Sequence, residues 1–176
     1  DGHVLYLKAG TALDYEAKPS YAVTVQVQDS TVSNSAALRQ NFSFQVTDVN
    51  EAPTALALTG ALAGVGKNEV AENTAISTRL KVADIAITDD GLGTNTLSLS
   101  GADKDLFEID GHVLYLKAGT ALDYEAKPSY AVTVQVQDST VSNSTALSQS
   151  FELKLTDVAA PTSAQAFALW QEAELA

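Results

Sequence analysis

The chain contains one segment twice. DGHVLYLKAGTALDYEAKPSYAVTVQVQDSTVSNS fills residues 1–35 and recurs without a change at residues 110–144. Looser similarity continues beyond it, since FSFQVTDV (42–49) corresponds to FELKLTDV (151–158). Self-similarity at a fixed period is typical of an array of repeated domains. The sequence therefore predicts one full unit preceded by the C-terminal half of another, and a function of the kind that tandem modules have.

Alternating apolar and polar residues predict strands in both units. In YAVTVQVQD (21–29), Tyr and three Val residues alternate with Ala, Thr and Gln, which is typical of an antiparallel strand packed on one side. We expect further strands at residues 3–8, 42–46, 55–59, 69–73, 78–88, 96–100, 106–110, 112–117, 130–138 and 151–157. Seven or so short strands per unit, with turn residues between them and no helix inside the unit, favour an all-β fold. The expected architecture is a Greek-key, immunoglobulin-like β-sandwich.

The expected boundaries follow from the repeat and from proline. Residues 1–49 form the half unit, 50–54 a linker stiffened by Pro53, and 55–161 the full unit, which is long enough to bury its own core. Residues 162–176 contain Phe167 and Trp170 at helical spacing. This tail is expected to be a docked helix or disordered, or else the first strand of a following module.

The charge balance excludes some partners. With 22 acidic and 10 basic side chains the net charge is −12, which argues against nucleic acid and anionic membranes as partners. No apolar run approaches the roughly 20 residues that span a bilayer, so no membrane insertion is predicted. The acidic excess is compatible with a hard cation, and equally with a solvated surface that aids solubility. The chain has no cysteine, which excludes disulfides and thiolate sites and favours a secreted bacterial protein.

Acidic side chains concentrate at the ends of the predicted strands. Alternate-residue spacing, as in Asp123-x-Glu125 or Asp48-x-Asn50, can direct two oxygens to the same side of an extended segment. Calcium takes six to eight such oxygen ligands. The alternative is that these residues serve turns, and this alternative is strongest for Asp29 and Asp138, which precede Ser-Thr.

Three motifs resemble a known family. VAENTA (70–75), LDYE (122–125) and DVNEAPT (48–54), within a β-unit of about 109 residues, resemble the cadherin repeat, and in particular the cadherin-like repeats of large bacterial secreted proteins and adhesins. The resemblance covers residues 50–161 as a complete repeat and 1–49 as half of one. It implies a cadherin-like sandwich that binds calcium at the junction between successive modules.

The resemblance also implies the ligands. At the first junction they are Asp14, Glu16, Asp48, Asn50 and Glu51, together with Asp89, Asp90 and Asp138. At the second junction they are Glu72, Asp123, Glu125 and Asp157. The second linker reads DVAAPT, so two ligands are lost and the second site is expected to be weak or empty. TDDGLGTN also departs from the D-x-D of the family, which implies reduced calcium affinity.

Three functions remain open at this point. The first is a calcium-binding module for adhesion and spacing, secreted or on the cell surface, with homophilic or neighbouring-repeat contacts. The second is a carbohydrate-binding module that recognises polysaccharide, and the third is a metal-free structural spacer. An enzyme is not predicted, because His3 and His112 lack any nucleophile motif and the paired carboxylates lack an aromatic-lined cleft.

The half unit lacks the strands that its apolar residues would pack against. We expect unpaired strand edges and an exposed hydrophobic face. The expected consequence is a strand-sharing homo-oligomer, or half units buried against each other. Alternatively, Phe167 and Trp170 of the tail cover this face.

Overall fold

A computed structural model describes residues 3–59, 62 and 68–159, and all structural statements concern these residues. The strands are β1 (Ser20–Val27), β2 (Leu38–Gln45), β3 (Ala55–Thr59), β4 (Glu69–Ala71), β5 (Leu80–Thr88), β6 (Asn95–Ser100), β7 (Phe107–Asp110), β8 (Val113–Leu116), β9 (Ser129–Asp138) and β10 (Leu147–Thr156). A 3-10 turn, Lys104–Leu106, precedes β7. Two compact units are present. The first, which we keep calling the half unit, runs to Glu51 and includes Asp90–Leu92, and the rest of the chain forms the full unit.

The full unit is a sandwich of two four-stranded sheets. One sheet has the order β4-β10-β9-β6 and the other β3-β5-β8-β7. Neighbouring strands are antiparallel except β4 and β10, which are parallel. Alternation places the apolar residues of both sheets in one core, which includes Val82, Phe107, Leu114, Leu116, Val132, Val134, Phe151 and Leu153. The predicted all-β Greek-key sandwich, one full repeat and half of another, is confirmed.

The half unit consists of an exposed two-stranded sheet. β1 and β2 pair from Ser20 with Gln45 to Val27 with Leu38. Val25 in β1 is 48% exposed, whereas Val134 at the same position of the repeat is fully buried. The expected exposed hydrophobic face is therefore present.

The strand predicted at residues 3–8 is wrong. These residues form no strand, although the identical VLYL at 113–116 forms β8. β8 lies between β5 and β7 and forms backbone hydrogen bonds with both. The half unit has no equivalent of β5 or β7, so its copy of this sequence has no ladder to join. The other strands lie within a few residues of their expected positions, while the tail at 162–176 lies outside the described residues.

An ion pair between a buried carboxylate and a half-exposed lysine ties a loop of the full unit to β9. The Asp103 carboxylate accepts hydrogen bonds from Lys127 Nζ at 2.5 Å and from the Ala131 amide at 2.8 Å. Burial raises the pKa of the Asp103 carboxyl, but Lys127 and Ala131 outweigh burial and hold this pKa below its ordinary value of 3.8. A carboxyl with a lowered pKa stabilises the folded state above its unfolded pKa, and this contribution is lost as the pH falls through the folded pKa.

We expect Asp103→Asn to lower the free energy of unfolding by about 1–3 kcal/mol at pH 7, because a charge-assisted buried contact is weakened. The difference from the parent protein should narrow as the pH falls below 3.8. Urea unfolding at a series of pH values between 7 and 3 measures both effects. Asp105→Asn, which changes an exposed carboxylate of the same loop, is the control. A pH-independent loss would show that ionisation of Asp103 does not matter.

Candidate metal centre

Three carboxylates of the half unit lie close together. Glu16, Asp48 and Glu51 each offer an oxygen within 4.8 Å of the others. Glu16 lies in a turn where the Ala17 amide donates to Asp14 Oδ1 at 2.8 Å. Asp48 and Glu51 follow β2, so the end of this strand brings them to the turn. The cluster unites residues more than thirty positions apart.

Mutual repulsion marks this half-unit cluster. A hydrogen bond from its own amide lowers the pKa of Glu16, but burial and the charges of Asp48 and Asp14 together raise it above its ordinary value. Burial and the charges of Glu16, Asp90 and Asp48 raise the pKa of Glu51. A bound divalent cation would remove this repulsion. Asp48 Oδ1 is buried and has no hydrogen-bond partner among the described residues.

Asp90 is held beside the half-unit cluster by two amides. Its Oδ2 accepts a hydrogen bond from the Glu51 amide at 2.8 Å, and its Oδ1 accepts one from the Leu92 amide at 2.8 Å. Of the adjacent aspartates in TDDGLGTN, Asp90 is therefore the one that belongs to the half unit.

A second carboxylate cluster lies in the full unit. It joins Glu72, Asp123 and Glu125, again with oxygens within 4.8 Å. Glu72 is only 5% exposed. It accepts hydrogen bonds from the Val158 amide at 2.8 Å and the Tyr124 amide at 2.9 Å, and these lower the pKa of Glu72. The negative charge is thus held by fixed amide donors.

The two clusters share one position of the repeat, that of Glu16 and Glu125. Asp14 and Glu16 correspond to Asp123 and Glu125, and the turn is the same, since the Ala126 amide donates to Asp123 Oδ1 at 2.9 Å. The clusters differ in their other two carboxylates, which are Asp48 and Glu51 in the half unit and Glu72 and Asp123 in the full unit. Asp157, at the repeat position of Asp48, is exposed and lies near enough to Glu72 to affect the pKa of Glu72.

A third group of oxygen donors lies in the full unit, at the start of β6. Asn95 Nδ2 donates to Asp89 Oδ2 at 2.7 Å. Asp89 Oδ1 and Asn95 Oδ1 are buried and have no hydrogen-bond partner in the described part of the chain. Sequence reasoning did not select Asn95, although it ends the TDDGLGTN segment that was already singled out.

Asp138 has a turn role. Its Oδ1 accepts hydrogen bonds from the Thr140 amide at 2.7 Å and the Thr94 amide at 3.3 Å, and the residue is fully buried. Asp29, its repeat equivalent, accepts the Thr31 amide at 2.8 Å. The turn interpretation is therefore observed for both residues, and the ligand role of Asp138 stays a prediction.

The donor sets fit a hard cation. Each cluster offers three carboxylates, and in the half unit one of them, Asp48, has a buried oxygen without a described partner. Asp89 and Asn95 each offer a further buried oxygen of this kind. Oxygen donors of this kind suit calcium, which accepts irregular geometry, better than they suit zinc.

No helix among the described residues is long and apolar enough to cross a membrane.

Comparisons with known proteins show the fold of the chain. No family model matches it. Mouse protocadherin Fat 4 is 31% identical over 130 residues, which is 72% of this chain but 2% of that protein. The extracellular cadherin domains 1–4 of protocadherin gamma B7 align with a TM-score of 0.58 at 22% identity, over 81% of this chain and 33% of that one. Chicken VE-cadherin EC1-2 aligns with a TM-score of 0.53 at 23% identity, over 84% of this chain and 71% of that one. The fold is thus the cadherin-type sandwich.

Proposed function

We propose that this chain is part of a tandem array of cadherin-family repeats, and that it binds calcium and serves adhesion and spacing. The observation that carries the proposal is the half-unit cluster of Glu16, Asp48 and Glu51. Burial and the neighbouring carboxylates together raise the pKa values of Glu16 and Glu51. A cation that binds only the folded, aligned state would stabilise it by mass action.

The tighter site would be the first junction. Its ligands would be Asp14, Glu16, Asp48, Asn50 and Glu51, with Asp89, Asp90 and Asp138. Asp48 Oδ1 is buried and has no hydrogen-bond partner in the described part of the chain, which supports a ligand role for Asp48. Calcium would supply the positive charge that offsets their repulsion and would rigidify the linker.

The weaker site would be that of Glu72, Asp123, Glu125 and Asp157. Here the amides of Val158 and Tyr124 already offset the charge of Glu72. The linker DVAAPT has alanines at the positions of Asn50 and Glu51. Lower affinity is therefore proposed for this site.

The setting we propose is a secreted or cell-surface protein with homophilic or neighbouring-repeat contacts. The shared fold with domains that are called extracellular cadherin domains supports this location. A net charge of −12 and the lack of cysteine are compatible with a bacterial adhesin and with the absence of nucleic-acid partners. Polysaccharide binding is the weaker candidate. The reason is that Tyr21, an aromatic residue that stacks on Phe44 in the half unit, occupies the same repeat position as Tyr130. Tyr130 is a buried core residue of the full unit.

A calcium titration of the chelator-treated protein by calorimetry tests this function. We expect two classes of site, and we expect Glu16→Gln to weaken the tighter one about 10- to 100-fold, because one ligand of a small set is lost. Glu125→Gln, at the same repeat position, should affect the weaker class instead. Glu108→Gln, which removes an ion-pair carboxylate outside both clusters, should change neither. If the parent protein releases or absorbs no heat of binding up to 10 mM calcium, the result would contradict calcium binding and favour a metal-free spacer.

A further inference from the structure

We infer that Asn143 is an acceptor for an asparagine-linked sugar. Asn143, Ser144 and Thr145 match Asn-X-Ser/Thr, the acceptor motif for glycosylation of surface loops in secreted proteins. They lie between β9 and β10, in the connection that joins these two strands. A motif of three residues is weak by itself, so the exposure and conformation of this connection decide whether it is accessible. The inference goes beyond the proposed function and does not depend on calcium.

The connection presents both reactive groups of the motif to solvent. Asn143 and Thr145 are exposed, and neither side chain has a hydrogen-bond partner in the described part of the chain. Asn143 has a φ of 61°, in the left-handed region that asparagine adopts more readily than most residues. The amide Nδ2 of Asn143 and the hydroxyl of Thr145 are therefore both free for an enzyme to engage.

Other groups hold the conformation of this connection. Gln137 Nε2 donates to the Ser144 carbonyl oxygen at 2.6 Å, and the Ser144 amide donates to the Val141 carbonyl oxygen at 3.2 Å. The Thr140 amide donates to Asp138 Oδ1 at 2.7 Å. None of these bonds uses the side chain of Asn143, so a sugar on Nδ2 would break no contact of the fold.

The chemistry needs an activated sugar and an asparagine glycosyltransferase. Asn143 Nδ2 forms a bond to C1 of a sugar that carries a diphosphate group on C1. The bond from C1 to the diphosphate oxygen breaks, the diphosphate leaves with that electron pair, and Nδ2 gives one proton to a base of the transferase. Lipid-linked oligosaccharides and nucleotide diphosphate sugars share this C1–diphosphate linkage, so either donor fits the same acceptor.

The half unit contains a natural control for the motif. Asn34 occupies the repeat position of Asn143, with a φ of 62°. The connection is held in the same way, since Gln28 Nε2 donates to the Ser35 carbonyl oxygen at 2.8 Å. The identity of the two copies ends one residue later, where Ala36 stands in place of Thr145. The same conformation therefore presents the same asparagine without the hydroxyl that the motif requires.

A second motif of this kind is held in a strand. Asn41, Phe42 and Ser43 also match Asn-X-Ser/Thr, but they lie in β2 and pair with β1. Asn41 Oδ1 accepts a hydrogen bond from Thr24 Oγ1 at 2.8 Å. Engaging this asparagine in the folded protein would break a side-chain contact and disturb the strand pairing. Asn143 is therefore the acceptor that the fold favours.

Site-resolved peptide mass mapping tests the inference with two donors. In one arm, the full chain is secreted from a eukaryotic host behind a leader peptide, which supplies the lipid-linked donor. In the other arm, the purified folded chain is incubated with a nucleotide diphosphate hexose and an asparagine glycosyltransferase. We expect a sugar on Asn143 and none on Asn34. Modification in one arm alone would support the inference and identify the donor.

Variants at exposed positions separate the motif from the fold. Thr145→Ala should abolish modification of Asn143, and Thr145→Ser should retain it. Ala36→Thr should create a modified site at Asn34. These substitutions lie outside the strands and should leave the stability within about 0.5 kcal/mol of the parent protein. An unmodified Asn143 in both arms would overturn the inference, as would equal modification of Asn34 and Asn143 in the parent protein.

Discussion

Truncation of Leu114 to alanine should lower the free energy of unfolding of the full unit by about 2–5 kcal/mol. Leu114 lies in β8 at the centre of the sandwich and is fully buried, so its loss leaves a cavity between the two sheets. The same change at Leu5 should alter stability by less than about 0.5 kcal/mol, because Leu5 is half exposed and lies outside any strand. Urea unfolding followed by far-UV circular dichroism measures both values.

The two leucines have identical neighbours in the sequence, over the four residues before them and the thirty after them. Intrinsic propensity is therefore the same at both positions, and only tertiary packing differs. Leu116→Ala and Leu7→Ala form a second matched pair, at 0% and 48% exposure. A cost at Leu5 as large as that at Leu114 would show that the exposed hydrophobic face of the half unit is covered in solution.

Calcium at 10 mM should stabilise the folded protein by about 1.4–2.7 kcal/mol relative to chelator. This range follows from mass action if the dissociation constant lies between about 10⁻⁴ and 10⁻³ M, the range typical of calcium sites in extracellular modules. The melting temperature should rise by roughly 6–20 °C for a domain of this size. The physical reason is that the cation binds the clustered carboxylates of Glu16, Asp48 and Glu51 only when the fold holds them together. Calorimetric or dichroism melts in chelator and in calcium measure the rise.

Matched variants locate the site. Asp48→Ala combined with Asn50→Ala should abolish most of the rise, because two of the ligands proposed for the first junction are lost. Asp157→Ala, at the repeat position of Asp48, should leave most of it intact. Magnesium at the same concentration should have a smaller effect, since it demands near-ideal octahedral geometry. Identical melts in chelator and calcium would contradict calcium binding and favour a structural spacer.

The site was only partly accessible from the sequence. The residues of both carboxylate clusters were selected through the motifs LDYE, DVNE and VAEN, because the spacing of ligands within one motif is visible in the sequence. Their grouping required the fold, since Glu72 meets Asp123 across more than fifty residues. Asn95 was missed although it lies only six residues from Asp89. Its contact with Asp89 arises only where the turn before β6 folds back.

What the sequence by itself determined was the repeat, the strand pattern and the sandwich. Strands such as Ala55–Thr59 and Ser129–Asp138 appear where apolar alternation predicts them, because period-two patterning is local. What only the tertiary structure decided was the state of identical segments. VLYL is a buried strand at 113–116 and not a strand at 4–7, because a strand needs hydrogen-bonding neighbours and a face to pack on. Those neighbours, β5 and β7, flank only the second copy.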